Sequence, residues 1–245
     1  MGLMLAAWPA GARAEEASVV SIEPEELQEF ELLGPRLSEL VKYALSLTER
    51  ELVYRFGSNQ PAAGGMDCSG TVQRTLHAAE FDDAPRTSYG IYRWAEAAGT
   101  LVPTPGVTSI ADPVFDDLRP GDLLFWQGTY ETAKRNPPIS HVMIYLGTLE
   151  SDGQGVVFGA SEGRRFRGKR INGVSVFDWK VPSASSRSSF VGYARIPGLD
   201  EEESADSAES DGEGVKVETG GPKAAPRPLK SALEKLFGRR ESGSQ

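Results

Sequence analysis

The chain is poor in the side chains that most often carry reactive chemistry. Among 245 residues there is one cysteine, Cys68, and there are two histidines, His77 and His141. A single thiol excludes an internal disulfide. With two histidines in different elements it also falls short of a zinc ligand set at the usual spacing. No glycine pattern of the phosphate-cradling or dinucleotide-binding kind is present, so the reading expects neither a metal nor a cofactor. No basic stripe interleaved with aromatics occurs, which argues against a nucleic-acid partner. Long apolar runs are missing too. Residues 3–10 form one short run, well below the roughly 20 residues a helix needs to cross a bilayer. Ala12-Arg13-Ala14 follows it as a small-residue cleavage signal, although the basic leader of a signal peptide is absent. Residues 1–14 are therefore read as a signal segment, and the protein as exported to the periplasm or cell envelope.

What is present is unevenly distributed. The net charge is −9, yet residues 200–218 alone hold nine acids and one base, so the remainder is close to neutral. The acidity belongs to one segment and says little about a substrate. Beyond residue 199 the composition turns rich in Glu, Asp, Ser, Gly and Pro, which predicts a disordered linker over 199–245. Near its end Leu229, Leu233, Leu236 and Phe237 share one helical face among lysines and arginines. That pattern suits an amphipathic helix touching a membrane or a protein partner, or equally a solvated tail.

The folded part reads as helices first and strands second. Residues 15–21 form an exposed lead-in. Pro24 opens a helix through residue 33, so 15–36 is an N-terminal helical extension. Leu37, Leu40, Val41, Ala44, Leu45 and Leu47 recur at helical spacing and predict a helix over 35–48. Further helices are expected over 69–80 and 87–98. Short β-branched or aromatic runs follow at 122–127, 141–146, 156–160, 174–177 and 190–196. That order predicts an α+β domain over 37–198, with helices packed on an antiparallel sheet of about five to six strands.

Cys68 stands after Gly64-Gly65 and at the start of a predicted helix. A helix N-terminus is the positive end of the macrodipole and favours a thiolate, as a nucleophile requires. Core packing is the plain alternative for a free cysteine. A nucleophilic thiol needs a base. His77 lies nine residues further along the same helix, about 13 Å away at 1.5 Å per residue, out of reach. His141 opens a strand whose alternation puts His141, Met143 and Tyr145 on one face and Val142, Ile144 and Leu146 on the other.

Five segments in order then resemble the motifs of NlpC-type cell-wall peptidases, which are papain-like cysteine hydrolases. They are Tyr54-Arg55-Phe56-Gly57-Ser58, Asp67-Cys68-Ser69-Gly70, Pro85-Arg86-Thr87-Ser88, Leu118 to Phe125, and Ser140 to Gly147. The resemblance implies Cys68 as nucleophile and His141 as general base, with Tyr54 assisting near the oxyanion. It implies that Asp67 positions the tyrosine and receives a substrate amine, and that Ser69 lines the cleft. For Arg86 and Asp122 the simpler readings, loop anchoring and a turn before a strand, are preferred. The family places a polar residue on the next strand to orient the histidine. Here Gly159 stands at that position, with Ser161 the nearest substitute as third catalytic residue. The implied activity is a cysteine peptidase cutting peptidoglycan stem peptides between D-glutamate and diaminopimelate. A catalytically weakened cell-wall-binding or regulatory module, and a papain-like amidase or acyltransferase, remain as alternatives. The loops 99–115 and 128–138 are expected to flank the cleft.

Overall fold

A computed structural model describes residues 17–199. The signal segment, the acidic linker and the C-terminal amphipathic segment lie outside the described residues.

The helical spacing seen in the sequence is realised in α1 (Pro35–Thr48), where Pro35 starts the helix and Leu37, Leu40, Val41, Ala44, Leu45 and Leu47 are all buried. Burying such a side chain contributes about 1.5–3 kcal/mol, so this one face fixes the helix on the sheet. Helix α2 (Cys68–Ala78) is capped by Asp67, whose carboxylate accepts from Gly70 N–H, and α3 (Ser88–Ala97) by the Thr87 hydroxyl. Two short strands, β1 (Val53–Tyr54) and β2 (Gly65–Met66), form a parallel ribbon just before α2.

The main sheet comprises β3 (Leu101–Pro103), β4 (Leu123–Gln127), β5 (Ile139–Thr148), β6 (Gly155–Phe166), β7 (Lys169–Asp178) and β8 (Ser189–Ala194). Its order is β3-β8-β4-β5-β6-β7, with every pairing antiparallel. The α+β reading and its six-strand limit hold.

Alternation along β5 sorts its side chains as the sequence implies. Val142, Ile144 and Leu146 join the core shared with α1, α2 and α3. Met143 and Tyr145 join a second core on the opposite face, with Trp126, Phe177 and Trp179. His141, near the start of β5, lies next to the Trp126 ring at 5.7 Å between centroids.

The N-terminal segment departs from expectation. The predicted helix over 24–33 is two single 3₁₀ turns, Pro24–Glu26 and Phe30–Leu32. Residues 18–20 are not an exposed lead-in. Ser18 exchanges two backbone bonds with Asn172, and Val20 O accepts from Val176 N–H. These bonds cover the open edge of β7, where unpaired backbone groups would otherwise face solvent. Within 24–33, Gln28 N–H donates to Thr148 O and Glu26 O accepts from Glu150 N–H, and these long-range bonds outweigh the helical propensity of a segment too short to hold a helix alone.

Candidate active site

The site forms where α2 begins. Asp67 uses both carboxylate oxygens. Oδ1 accepts from Gly70 N–H at 2.6 Å, and Oδ2 from Gly57 N–H at 2.8 Å. Arg86 then grips the carboxylate with two nitrogens, at 3.0 Å to Oδ1 and 2.8 Å to Oδ2, and donates to Ser69 Oγ at 2.9 Å. Bidentate charge-assisted bonds of this kind are among the strong ones. Asp67 is thereby fully engaged by its own chain. Arg86 does more than anchor a loop, because it locks the residues on both sides of the thiol; the motif spacing alone did not convey that role.

Cys68 is 4% exposed. The backbone N–H of Val142, the residue after His141, is near enough to the thiol to favour its ionised form. The expected low thiol pKa is not found. Burial, then the adjacent Asp67 carboxylate, push the thiol up to about 11, although nearby backbone N–H groups pull the other way. Desolvation exceeds what the helix terminus supplies.

His141 is 6% exposed, and among the described residues its Nε2 has no hydrogen-bond partner. Burial, then the nearby Arg164, drive its pKa well below the usual histidine range. Gly159 stands at the position that the family resemblance assigns to an orienting group. A Cβ there would lie 3.1 Å from Met143 Cε and 3.3 Å from its Cγ, so the methionine fills the space an orienting side chain would take. Ser161 lines the same cleft, but no hydrogen bond links it to Nε2. Tyr54, half-buried on β1, also lines the cleft. Burial first, then the negative charge of Cys68 and Asp67, raises its pKa, so its hydroxyl keeps its proton and can donate. His77, as expected, sits apart, its Nε2 3.1 Å from Ala84 O.

The cleft has a volume of about 830 Å³ and includes Tyr54, Phe56, Tyr130, His141, Ser161 and Arg164 in its wall. Phe56, 72% exposed, meets Tyr130 edge to face at 5.8 Å on the rim. The loop after β4 contributes through residues 128–130, as expected. The 99–115 loop does not. Its residues 103 and 105–108 line a separate cavity, and residues 180–182 and 186–188 take the wall instead. Arg164, the most consequential residue the sequence reading passed over, is signalled only by an arginine pair after a glycine.

A cysteine at the head of a helix laid against an antiparallel sheet, in an α+β fold, places the molecule in the papain-like class. More narrowly, the chain belongs to the NlpC/P60 family, whose sequence profile matches residues 51–175. Members are in general cysteine peptidases or amidases acting on peptidoglycan peptides. No curated protein matches the chain. Among solved structures it is similar to a lipoprotein-like NLP/P60 family protein from Staphylococcus aureus. That match has 19% identity and a TM-score of 0.42, and covers 74% of this chain and 45% of the other. The chain thus spans under half the length of that relative. Among the described residues, no helix is long and apolar enough to cross a membrane.

Proposed function

We propose that the protein is an exported cysteine peptidase of the cell envelope that hydrolyses peptide bonds in peptidoglycan stems, of the D-glutamyl-diaminopimelate type. The observation that carries this reading is a buried Cys68 at the head of α2 together with His141 in the cleft wall, both inside the family match. In the free protein both groups are neutral. His141 takes the thiol proton as sulfur attacks the carbonyl carbon. Backbone N–H groups at the start of α2 and the Tyr54 hydroxyl donate to the oxyanion. The C–N bond then breaks, and His141 passes its proton to the leaving amine. Water, deprotonated by His141, attacks the thioester, and the thiol re-forms as the acid product leaves. Asp67 and Ser69, both gripped by Arg86, hold the chain on either side of the thiol.

A second reading has a specific observation behind it. Gly159 offers no acceptor, Met143 fills its space, and Nε2 is unpartnered. These favour a weakened catalyst that binds stem peptides more than it cuts them. Incubation with muropeptides, read by mass spectrometry, decides between them. The peptidase reading expects new products with the wild type and none with Cys68→Ala or His141→Ala. Identical traces for all three, together with measurable muropeptide binding, select the binding module.

A further inference from the structure

Strand β6 carries an irregularity beside the cleft. Glu162 pairs with Asn172 and Arg165 with Arg170, so three steps along β6 match two along β7. One extra residue is inserted, and Gly163 takes φ +99°, a conformation L side chains rarely adopt. A bulge of this kind turns the following side chain to the other face. In regular alternation Arg164 would point opposite to Ser161. With the extra residue it shares the face of Ser161 and His141.

The consequence is visible in the packing. The Arg164 guanidinium lies 4.2 Å over the Trp126 ring, and that ring neighbours His141. Arg164 also lies within electrostatic reach of Cys68. The other cations of the cleft wall have carboxylate partners, Lys180 with Asp178 at 3.1 Å and Arg187 with Glu131 at 3.6 Å. Among the described residues Arg164 has neither a carboxylate partner nor a hydrogen bond. Stacking on a tryptophan fixes a guanidinium but leaves its N–H fork open. A half-buried, unpaired guanidinium is costly unless an anion completes it. Burial lowers its pKa to about 10, so it is still a cation at neutral pH.

We infer that Arg164 is a specificity-determining residue, the docking point for a free carboxylate that the substrate carries within one residue of the scissile carbonyl. The inference rests on the peptidase reading and adds to it the residue that reads the substrate's free carboxylate. Peptides joined through a glutamate side chain keep such a carboxylate free, whereas ordinary α-linked peptides place an amide there.

The test uses two synthetic γ-D-glutamyl peptides that differ only in a free α-carboxylate or an α-carboxamide. Their affinities for the full chain carrying Cys68→Ala are measured by calorimetry, and their kcat/KM with intact Cys68. The expectation is a preference of at least about tenfold for the acid, as one charge-assisted fork supplies. Arg164→Gln should bring that ratio to within about twofold, and Arg164→Lys should leave it in between. A cooperative thermal melt shows that each variant is folded. Equal handling of the two peptides by the unsubstituted residue, or an unchanged ratio in Arg164→Gln, overturns the carboxylate site and leaves the peptidase reading standing. Neither binding nor cleavage of either peptide overturns both.

Discussion

Cys68 and His141 each rest in the form that burial favours, the thiol above its ordinary range and the imidazole below its own. At pH 7 a thiol with a pKa of about 11 is ionised in only about one molecule in ten thousand. The alkylation rate of Cys68 with iodoacetamide should therefore climb about tenfold per pH unit between pH 7 and 10. A rate that is flat below pH 8 would mean that a preformed thiolate–imidazolium pair exists instead. The group missing beside His141 can be supplied. Gly159→Asn alone forces its Cβ against Met143 and should destabilise by about 1–3 kcal/mol through overpacking. Combined with Met143→Ala, the amide gains room, and kcat should rise at least about tenfold, part of the roughly four orders that an orienting group is worth in serine triads. Muropeptide turnover measured beside chemical denaturation separates the two effects, and no gain in the double variant sinks the account. The placement of Cys68 at a helix head and of His141 near a strand start was legible in the sequence, because turn signals and periodicity mark both positions. The pKa directions were not, since they depend on burial that no local window contains.

The start of α2 shows why a small residue follows Ser69. A Cβ at Gly70 would sit 2.3 Å from Ser58 O and 2.9 Å from Asn59 Cα, both backbone. Glycine inside a helix normally costs about 1 kcal/mol relative to alanine, so an isolated helix would gain from the exchange. Here the clash dominates. Gly70→Ala should destabilise by at least about 1–3 kcal/mol and also lower kcat, because the 57–60 loop carries the Gly57 N–H that holds Asp67. Urea denaturation and turnover of the one variant check both; a stabilised protein would show that the loop yields freely. At this scale most strands and helices could be read from periodicity, with ends shifted by a few residues. Three features could not: the two-residue ribbon β1–β2, the edge strand β3, and the bulge that turns Arg164. The edge strand exists through a partner distant in sequence, Val102 with Tyr193, and the bulge is a register offset between β6 and β7 that periodicity along one strand does not report.

At the scale of the molecule, one ion pair ties the turn into β4 to the end of the folded region. Asp122, 1% exposed at the turn into β4, accepts from Arg119 N–H at 2.9 Å and pairs with Arg195 beyond β8, which also donates to Asp117 O. A turn before a strand was the sequence reading of Asp122, and it holds, but its cross-molecule partner 73 residues away left no trace in the chain pattern. Burial, opposed by the Arg195 bond, raises the Asp122 pKa to about 6. Removing Arg195 deletes the opposing contribution and pushes the carboxyl higher still. A carboxyl whose folded pKa lies above its unfolded one is stabilising when protonated, and that stability is lost as pH rises through the folded value. Arg195→Ala should therefore cost about 3–5 kcal/mol at pH 8, where a buried carboxylate is left without its cation. At pH 5 the carboxyl enters the fold protonated, and the loss should be visibly smaller. Denaturant unfolding of wild type and variant at the two pH values measures the difference. A cost that is equal at both, or larger at pH 5, would mean that Asp122 stays ionised in the fold and that the Arg119 backbone bond suffices to hold its charge.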